Sequence, residues 1–278
     1  MQSEMPDSQI IIHDIASLRT SAASAVSSLR AAAFTTLRPL GRDIAKVCAV
    51  LGVSETRFAR PHQVHETAVL QISEDFFRLS SSTRTLLLDG IDAVIYDVRD
   101  ACIGISTADC IPVVCYDPVR HCAAAIHAGW RGTQQRIAET AVLKMTQAFG
   151  SEPHHLRCII GPGISLESFE VGDEVYDAFA GSGFDMRLVA ERRPVMSCRA
   201  GSSSVVLSSA ANVRQSDVVA ERWHIDLKKC NKLQLMRCGV EEAHILVSDI
   251  DTMTDPRCFS ARRDGASTGR MLTGILLR

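Results

Sequence analysis

The sequence has little net charge, no long apolar run and neither of two familiar phosphate-loop motifs. Its 278 residues include 30 Lys and Arg against 32 Asp and Glu, so the net charge is −2 and there is no basic field for nucleic acid. No apolar run could span a bilayer, and the N-terminal MQSEMPDSQIIIHD has no basic segment before an apolar core. The patterns GxGxxG and GxxxxGKS/T are missing. We therefore expect a cytoplasmic protein that acts on a small molecule, without nucleic-acid or membrane partners.

CxxC pairs are also missing, although the chain contains 10 cysteines. Most of them lie inside apolar runs, which is typical of reduced, packed thiols rather than of a disulfide framework. With 46% hydrophobic and 22% charged residues, the chain can bury a large core, and no internal repeat divides it. We expect one domain over residues 1–278, with a mobile surface insertion near residues 192–222, where serine and alanine are frequent.

Strand signals dominate the middle of the chain. Short segments rich in Val and Ile are bounded by Gly, Pro or Asp, namely VHETAVLQI, DGIDAVIYD, ACIGIS, IPVVCYD, CAAAIHA and LRCIIGP. Apolar residues at helical spacing predict helices over about residues 134–149 and 226–238, which are followed by Gly150 and Gly239. Strands that follow one another with few helices between them predict an α+β fold.

Three side chains are candidate ligands for a soft metal. They are His65 in PHQVHE, Cys110 in STADCIP and His127 in AIHAGWRGT. Alone, each would more simply be a packed thiol or a hydrogen-bonded histidine. However, Cys110 and His127 both lie where a strand-like run gives way to a turn, and such positions present side chains to a shared cleft. Two imidazoles and a thiolate supply three corners of a tetrahedral zinc site, which leaves the fourth open for catalysis.

Longer stretches of the sequence resemble the laccase-domain family. The similar segments run from about His62 to the C-terminus and include QVH, DAVIYD, GISTADCIPVVCYDP, AAIHAGWRGT, IIGPGIS, SFEVGDEVYDAF, WHIDL and FSARRDG. This family has been called multicopper polyphenol oxidase and is understood as purine nucleoside phosphorylase with adenosine deaminase activity. The resemblance implies sheets packed as a sandwich with flanking helices, and a homodimer.

The resemblance also implies a zinc site formed by the same three candidates, His65, Cys110 and His127. The implied substrates are a purine nucleoside and phosphate. The implied reactions are phosphorolysis of adenosine, inosine, guanosine and methylthioadenosine, and deamination of adenosine. An open zinc site activates water, which fits deamination, whereas phosphorolysis needs a phosphate held beside the ribose.

Arginines are the natural ligands for that phosphate, because a guanidinium matches it in shape and charge. The candidates are Arg131 in HAGWRG and the pair Arg262 and Arg263 in FSARRDG. Asp109, beside Cys110, is a candidate proton carrier or a partner that orients a ligand histidine. Each candidate has a plain structural alternative, which is an ion pair, a solvent-facing side chain or a turn residue.

The N-terminal part departs from the family pattern. Relatives carry a Thr-Thr-Arg segment followed by a glycine-rich loop, whereas here Thr35, Thr36 and Arg38 run almost directly into GRDIAKVCAVLG. Arg38 is the candidate for the family's catalytic arginine, and the shortened loop is expected to affect turnover. Cys258 is a second departure, because relatives have an aromatic residue before the position of Phe259.

Three other functions stay open. A copper-dependent phenol oxidase would need several coppers and close His-x-His pairs, and the nine histidines contain no such pair, so copper is the less favoured metal. A Cys/His hydrolase would use Cys110 as nucleophile and His127 as base, without a metal. A non-catalytic protein with structural zinc would need a fourth ligand, for which His62 or Asp109 is available.

Overall fold

The computed structural model describes residues 9–194 and 221–278, and its strands form three sheets. The first large sheet contains, in spatial order, β2 (Arg19–Ser21), β1 (Ile10–Asp14), β3 (Ala31–Thr36), β15 (Met271–Leu277), β7 (Ala101–Thr107) and β4 (Phe58–Ala59). The second contains β14 (Ile245–Val247), β10 (Arg157–Ile160), β8 (Ile111–Asp117), β9 (Cys122–Ala128), β6 (Ala93–Tyr96) and β5 (Val69–Ile72). The small third sheet contains β11 (Glu170–Val171), β13 (Glu221–Ile225) and β12 (Ala190–Pro194).

The two large sheets pack face to face. Val114 and Tyr116 of β8 pack against residues of the first sheet such as Ile103 and Ile275. The alternate residue Val113 points to the opposite face of β8 and belongs to a second core under the helices. Burial on both faces explains why these strands are continuous apolar runs in the sequence. The prediction of an α+β sandwich with flanking helices is confirmed.

Helices flank the two large sheets. They are α1 (Ile44–Leu51), α2 (Glu74–Arg78), α3 (Ser81–Leu87), α4 (Trp130–Gln134), α5 (Ile137–Phe149), α6 (Asp173–Gly181), α7 (Met186–Val189), α8 (Leu227–Arg237) and α9 (Ala261–Asp264). Short 3-10 turns lie at Ala23–Ser28, Glu55–Arg57, Pro153–His155 and Glu242–His244. Helices α5 and α8 pack on the second sheet, whereas α1 packs on the first. Across the described residues, no helix is long and apolar enough to cross a membrane.

The two predicted helices are present, with one boundary shifted. The helix predicted from about residue 134 starts at Ile137, because Arg136 has a φ of 65° and separates α5 from the short α4. It ends at Gly150, whose left-handed φ of 64° suits glycine. The helix predicted over 226–238 covers Leu227–Arg237, and the Asp226 side chain accepts a hydrogen bond from the Lys229 amide at its N-terminus.

Two segments differ from the simplest interpretation of the sequence. The strand in VHETAVLQI begins only at Val69, so His65 lies in a loop. Of the predicted insertion at 192–222, the ends belong to β12 and β13, which pair antiparallel with Pro194 opposite Glu221. The remaining residues, 195–220, lie outside the described part of the chain.

Candidate metal centre

Three segments that are distant in sequence meet at one end of the sandwich. His127 is the second-last residue of β9, Cys110 lies in the turn between β7 and β8, and His65 lies in the loop before β5. One ligand atom from each residue lies within 4.8 Å of the other two. The rings of His65 and His127 meet edge to face with 4.8 Å between their centroids. His127 is 3% exposed, Cys110 is half-buried and His65 is exposed.

The turn that carries Cys110 takes the chain from one large sheet to the other. Strand β7 ends at Thr107 in the first sheet, and β8 begins at Ile111 in the second. Between them, Asp109 has a φ of 82°, a left-handed conformation that Asp adopts more readily than most residues. Its backbone carbonyl accepts a hydrogen bond from the Ile164 amide at 2.9 Å. The tight turn therefore brings the Cys110 thiol to the end of the neighbouring strand β9.

A buried carboxylate, Asp92, contacts two of the three ligand segments. It precedes β6, is fully inaccessible, and its Oδ1 accepts a hydrogen bond from Nδ1 of His127 at 2.7 Å. The same carboxylate accepts the backbone N–H groups of Val64, His65 and Glu66 at 2.9–3.1 Å. Sequence reasoning missed Asp92, because an aspartate just before an apolar strand is equally typical of an ordinary turn.

Burial and charge act in opposite directions on the Cys110 thiol. Burial disfavours the thiolate, but the charge of His127 and hydrogen bonds from both histidines outweigh it and lower the pKa of Cys110 from 9.0 to about 6. Burial also disfavours the His127 imidazolium, while Cys110 and Asp92 together raise its pKa to about 9. The metal-free pair is therefore a thiolate beside an imidazolium, and the thiolate is the form that binds metals.

Gly129 leaves room for the ligand side chains. A Cβ atom at this position would lie 3.0 Å from Cδ2 of His65 and 3.3 Å from Sγ of Cys110. Its φ of −63° is open to any residue, so the requirement for glycine comes from this close approach. The glycine of the HAGWRG segment thus has a specific role beside the three candidates.

The three candidates line a cavity of about 670 Å³ that is rich in arginine. The arginines are Arg42, Arg60, Arg262 and Arg270, of which sequence reasoning proposed Arg262 and missed the other three. Burial and the neighbouring charge of Arg42 lower the pKa of Arg60, and its Nε is buried without a hydrogen-bond partner. A cavity with this lining favours an anionic ligand. Arginines in unremarkable sequence, such as Arg42 in GRD, give no signal that could have identified them.

The other predicted arginines lie outside this cavity. The guanidinium of Arg131 lies 4.3 Å from the ring centre of Trp130. That of Arg263 pairs with Asp264 and donates to backbone carbonyls of Thr252, Met253, Asp255 and Cys258. These bonds hold the chain that leads into α9, a structural role.

Arg38 also lies outside the cavity, beside α9. Its guanidinium pairs with Asp264 and lies 4.4 Å from the ring centre of Phe259. The nearby Cys258 is fully buried and packs with Leu37, where the family pattern has an aromatic residue. Arg38 therefore contacts the helix that carries Arg262, which does line the cavity.

The Asp109 side chain is hydrogen-bonded to the backbone of Arg262. The Asp109 carboxylate accepts hydrogen bonds from the Thr252 hydroxyl and from the Arg262 amide, both at 2.7 Å. The Arg262 guanidinium donates to the carbonyl of Glu170 at 3.1 Å and lies 5.7 Å from the ring centre of Phe169, which also lines the cavity. The carboxylate that orients His127 is Asp92, whereas Asp109 faces α9.

Within residues 9–194 and 221–278, no fourth His, Cys, Asp or Glu joins the three-residue cluster. His62 lines the cavity, but its side chain is 77% exposed and its Nδ1 is hydrogen-bonded to Asp89 at 2.7 Å. Both oxygens of Asp109 are engaged as described above. Within the described residues the cluster thus offers three candidate ligands, one fewer than a closed tetrahedral zinc site requires.

Two relatives are similar to this chain over most of its length. The chain is 39% identical over 218 residues to a purine nucleoside phosphorylase of Bacteroides thetaiotaomicron, covering 78% of this chain and 72% of that protein. It is 33% identical over 230 residues to "Adenosine deaminase RL5" from an unknown prokaryotic organism, covering 81% of this chain and 77% of that protein.

A solved structure shares the fold. The Bacillus licheniformis hypothetical protein YfiH superposes with a TM-score of 0.72 over 89% of this chain and 93% of that chain, at 23% identity. The family described as "Multi-copper polyphenol oxidoreductase laccase" matches residues 40–278, which include the three candidate ligands and all four cavity arginines. With most of its length and its whole candidate site inside that match, the chain belongs to this laccase-like family.

Proposed function

We propose that this chain is a zinc-dependent purine nucleoside enzyme that phosphorolyses adenosine, inosine, guanosine and methylthioadenosine and deaminates adenosine. The observation that carries the proposal is the convergence of His65, Cys110 and His127 in one cavity with four arginines. Two relatives, named purine nucleoside phosphorylase and adenosine deaminase, support the substrate class.

The donor set fits zinc. Zinc prefers sulfur and imidazole ligands in a tetrahedron, and catalytic zinc sites keep one position free of protein. His65, Cys110 and His127 would hold the ion, and the bond from His127 to the Asp92 carboxylate is the outer support that metal-binding histidines usually have. When bound there, zinc would act as a Lewis acid and lower the pKa of a water molecule for attack on the purine. Copper is less favoured, because within the described residues this cavity brings one three-residue cluster together rather than several histidine-rich ones.

Arg42 and Arg60 are the proposed phosphate ligands. They are neighbouring cations in the same cavity, and burial already disfavours the charge on Arg60. Arg60 also donates weakly to the Ser106 hydroxyl at 3.5 Å, which leaves most of its guanidinium free. A phosphate would relieve the repulsion between the two arginines and be held for attack at the ribose.

The opposite side of the cavity would receive the purine. Phe169 provides an apolar wall, and Arg262 lies over its ring at 5.7 Å. Asp109 holds the Arg262 backbone, and Arg38 holds the end of α9 through Asp264. We therefore propose that Asp109 and Arg38 act by positioning Arg262 rather than by touching the nucleoside.

Chromatographic analysis of adenosine incubated with the zinc-loaded protein, with and without phosphate, tests the function. Adenine that requires phosphate supports phosphorolysis, and inosine formed without phosphate supports deamination. No product from adenosine, inosine, guanosine or methylthioadenosine would overturn the proposal. Cys110→Ala should lose zinc and both activities together.

A matched pair of variants tests the phosphate ligands. Arg60→Ala should raise the KM for phosphate at least tenfold and leave deamination nearly unchanged, because only one reaction uses phosphate. Arg187→Ala is the control, since this arginine is exposed and pairs with Asp185 on α7. Equal phosphate KM values in the two variants would remove Arg60 from the site.

The thiolate–imidazolium pair favours one second candidate, a metal-free Cys/His hydrolase. Cys110 with a lowered pKa beside His127 is the arrangement of an activated thiol nucleophile. Metal content separates the two proposals. Full activity on adenosine after complete removal of zinc would favour the hydrolase, whereas loss on chelation and recovery with added zinc favours the metal enzyme.

A further inference from the structure

Asp92 uses its whole hydrogen-bonding capacity on the metal-binding segments. Its Oδ1 accepts from Nδ1 of His127 and from the amide of His65, and its Oδ2 accepts from the amides of Val64 and Glu66. An ionised carboxylate has about four acceptor sites, and here four N–H groups fill them. Because the side chain is fully inaccessible, water cannot replace any of these bonds.

The loop that carries His65 depends on this carboxylate for its shape. His65 has a φ of 67°, a left-handed conformation that is unfavourable for a residue with a side chain. Three successive backbone N–H groups converge on one anion only when the chain curls in this way, as in anion-binding nests. The curl presents the His65 side chain toward Cys110 and His127, so the turn whose amides bind the Asp92 carboxylate also carries the candidate ligand.

His127 is held by the same residue in two ways. Its amide donates to the Asp92 carbonyl at 2.8 Å, and its Nδ1 donates to the Asp92 carboxylate at 2.7 Å. A bond to an ionised carboxylate requires a proton on Nδ1, which leaves Nε2 as the atom that faces the cluster. Asp92 therefore sets the orientation of this ligand and, in the neutral imidazole that binds a metal, its tautomer.

We propose that Asp92 is a positioning residue. It orients two of the three candidate ligands, His65 and His127, before a metal binds, and thereby couples the positions of these two side chains. The inference rests on the proposed metal centre and goes beyond it, because Asp92 never touches the ion. The proposal also accounts for the charge of the site. A divalent cation, one thiolate and the buried Asp92 carboxylate sum to zero, which favours a +2 ion there.

The test compares Asp92→Asn with Asp117→Asn by chelator competition for zinc. Asp117 is an equally buried carboxylate at the far end of β8, where it accepts from the amides of Val119 and Arg120 and from the Ser151 hydroxyl. Asp92→Asn turns an acceptor into an NH₂ group that faces N–H donors, so zinc affinity should fall 10- to 100-fold. Asp117→Asn should lower thermal stability but keep zinc affinity within about twofold of wild type.

A double-mutant cycle with His65→Ala tests the coupling. In the wild-type background, His65→Ala removes a well-placed ligand and should weaken zinc binding strongly. In the Asp92→Asn background the loop is already displaced. His65→Ala should therefore reduce zinc affinity there by a factor at least fivefold smaller than in the wild-type background. If the two substitutions reduce zinc affinity by independent factors that multiply in the double mutant, the coupling is overturned.

The readouts separate this inference from the proposed function, because none of them uses a nucleoside. A wild-type chain that binds no zinc would overturn both. Wild type and Asp92→Asn with equal zinc affinity would overturn the inference alone. If Asp92→Asn does not fold, hydrogen exchange on zinc-free wild type replaces it: protected amides at Val64, His65 and Glu66 support a preformed loop, and exchange at the rate of an open loop overturns it.

Discussion

At the scale of single residues, the local environment of each cysteine sets the pKa of its thiol and so its reactivity. Burial raises the pKa of Cys122 to about 12, and Cys158, which is fully buried against Cys115, has its pKa raised well above the ordinary value. Burial also disfavours the thiolate of the half-buried Cys110, yet two imidazoles beside it lower its pKa to about 6. Thiols of one residue type are thus inert packing in the core and a candidate metal ligand at the end of the sandwich.

Replacing Gly129 by Ala is the sharpest test of how tightly the ligands are packed. The added Cβ would press on His65 and Cys110 at 3.0 and 3.3 Å, while the backbone conformation suits alanine. We expect zinc affinity to fall about tenfold, as it does for changes beside metal ligands, and the free energy of unfolding of the zinc-free protein to change by less than about 1 kcal/mol. Isothermal titration with zinc and urea unfolding measure the two quantities.

Gly181→Ala is the matched control for that substitution. No atom lies within 4 Å of a Cβ built at Gly181, which ends α6 away from the cluster. Zinc affinity should therefore be unchanged. Equal zinc affinity in both alanine variants would show that the ligands tolerate the extra methyl group.

At the scale of elements, the pairing of β15 with β7 in the first sheet depends on two facing glycines. Gly104 of β7 is the register partner of Gly274 of β15. The rings of Phe58 and Phe34 lie over the space where their side chains would be, with 3.0 and 2.9 Å to the two Cβ positions. Aromatic rings that cover glycines keep these strands close without a cavity.

The two glycines should respond differently to alanine. A Cβ at Gly274 would lie 2.1 Å from the Ile103 carbonyl oxygen, which belongs to the paired strand and cannot move without opening the sheet. At Gly104 the first obstacle is the Phe58 ring, which can shift. We expect Gly274→Ala to lower the free energy of unfolding by about 3 kcal/mol and Gly104→Ala by about 1 kcal/mol. Urea unfolding followed by circular dichroism measures both, and equal losses would contradict the packing argument.

At the scale of the whole molecule, the cluster joins the two large sheets where they end. Cys110 lies on the connection from the first sheet to the second, His127 ends β9, and His65 lies on the loop before β5 at the edge of the second sheet. A metal ion held by all three would tie these connections together in the folded state only. Metal binding should therefore stabilise the whole domain and not just the loops.

Removal of zinc should accordingly lower the melting temperature. At a free zinc concentration a thousandfold above Kd, binding contributes about 4 kcal/mol to the free energy of unfolding. In a chain of this size that corresponds to a shift of roughly 8–16 °C. Differential scanning calorimetry with and without a chelator measures it, and Cys110→Ala should melt at one temperature in both conditions. An unchanged wild-type melting temperature would argue against a site in which all three residues bind the ion.

The sequence by itself determined the types of the central elements and gave the three candidate soft ligands. Apolar runs rich in Val and Ile predict buried strands, and periodic apolar residues predict α5 and α8, because both patterns depend on neighbours within a few positions. His65, Cys110 and His127 could be proposed because imidazole and thiolate are soft metal ligands, because Cys110 and His127 lie where strand-like runs give way to turns, and because a family resemblance supported them. The start of α5 was misplaced, since the left-handed conformation of Arg136 depends on packing rather than on a local signal.

Only the tertiary structure decided which other groups meet at the ligands. Arg131 and Arg263 lie near ligand motifs in sequence, but their guanidiniums stack on Trp130 or bind backbone carbonyls. Arg42 and Arg60 come from segments without any motif and line the cavity, because the first sheet folds over the second. Asp92 differs from an ordinary turn aspartate only through four donors that arrive from two separate segments. Contacts between distant segments depend on the packing of the whole sandwich, and no local pattern encodes them.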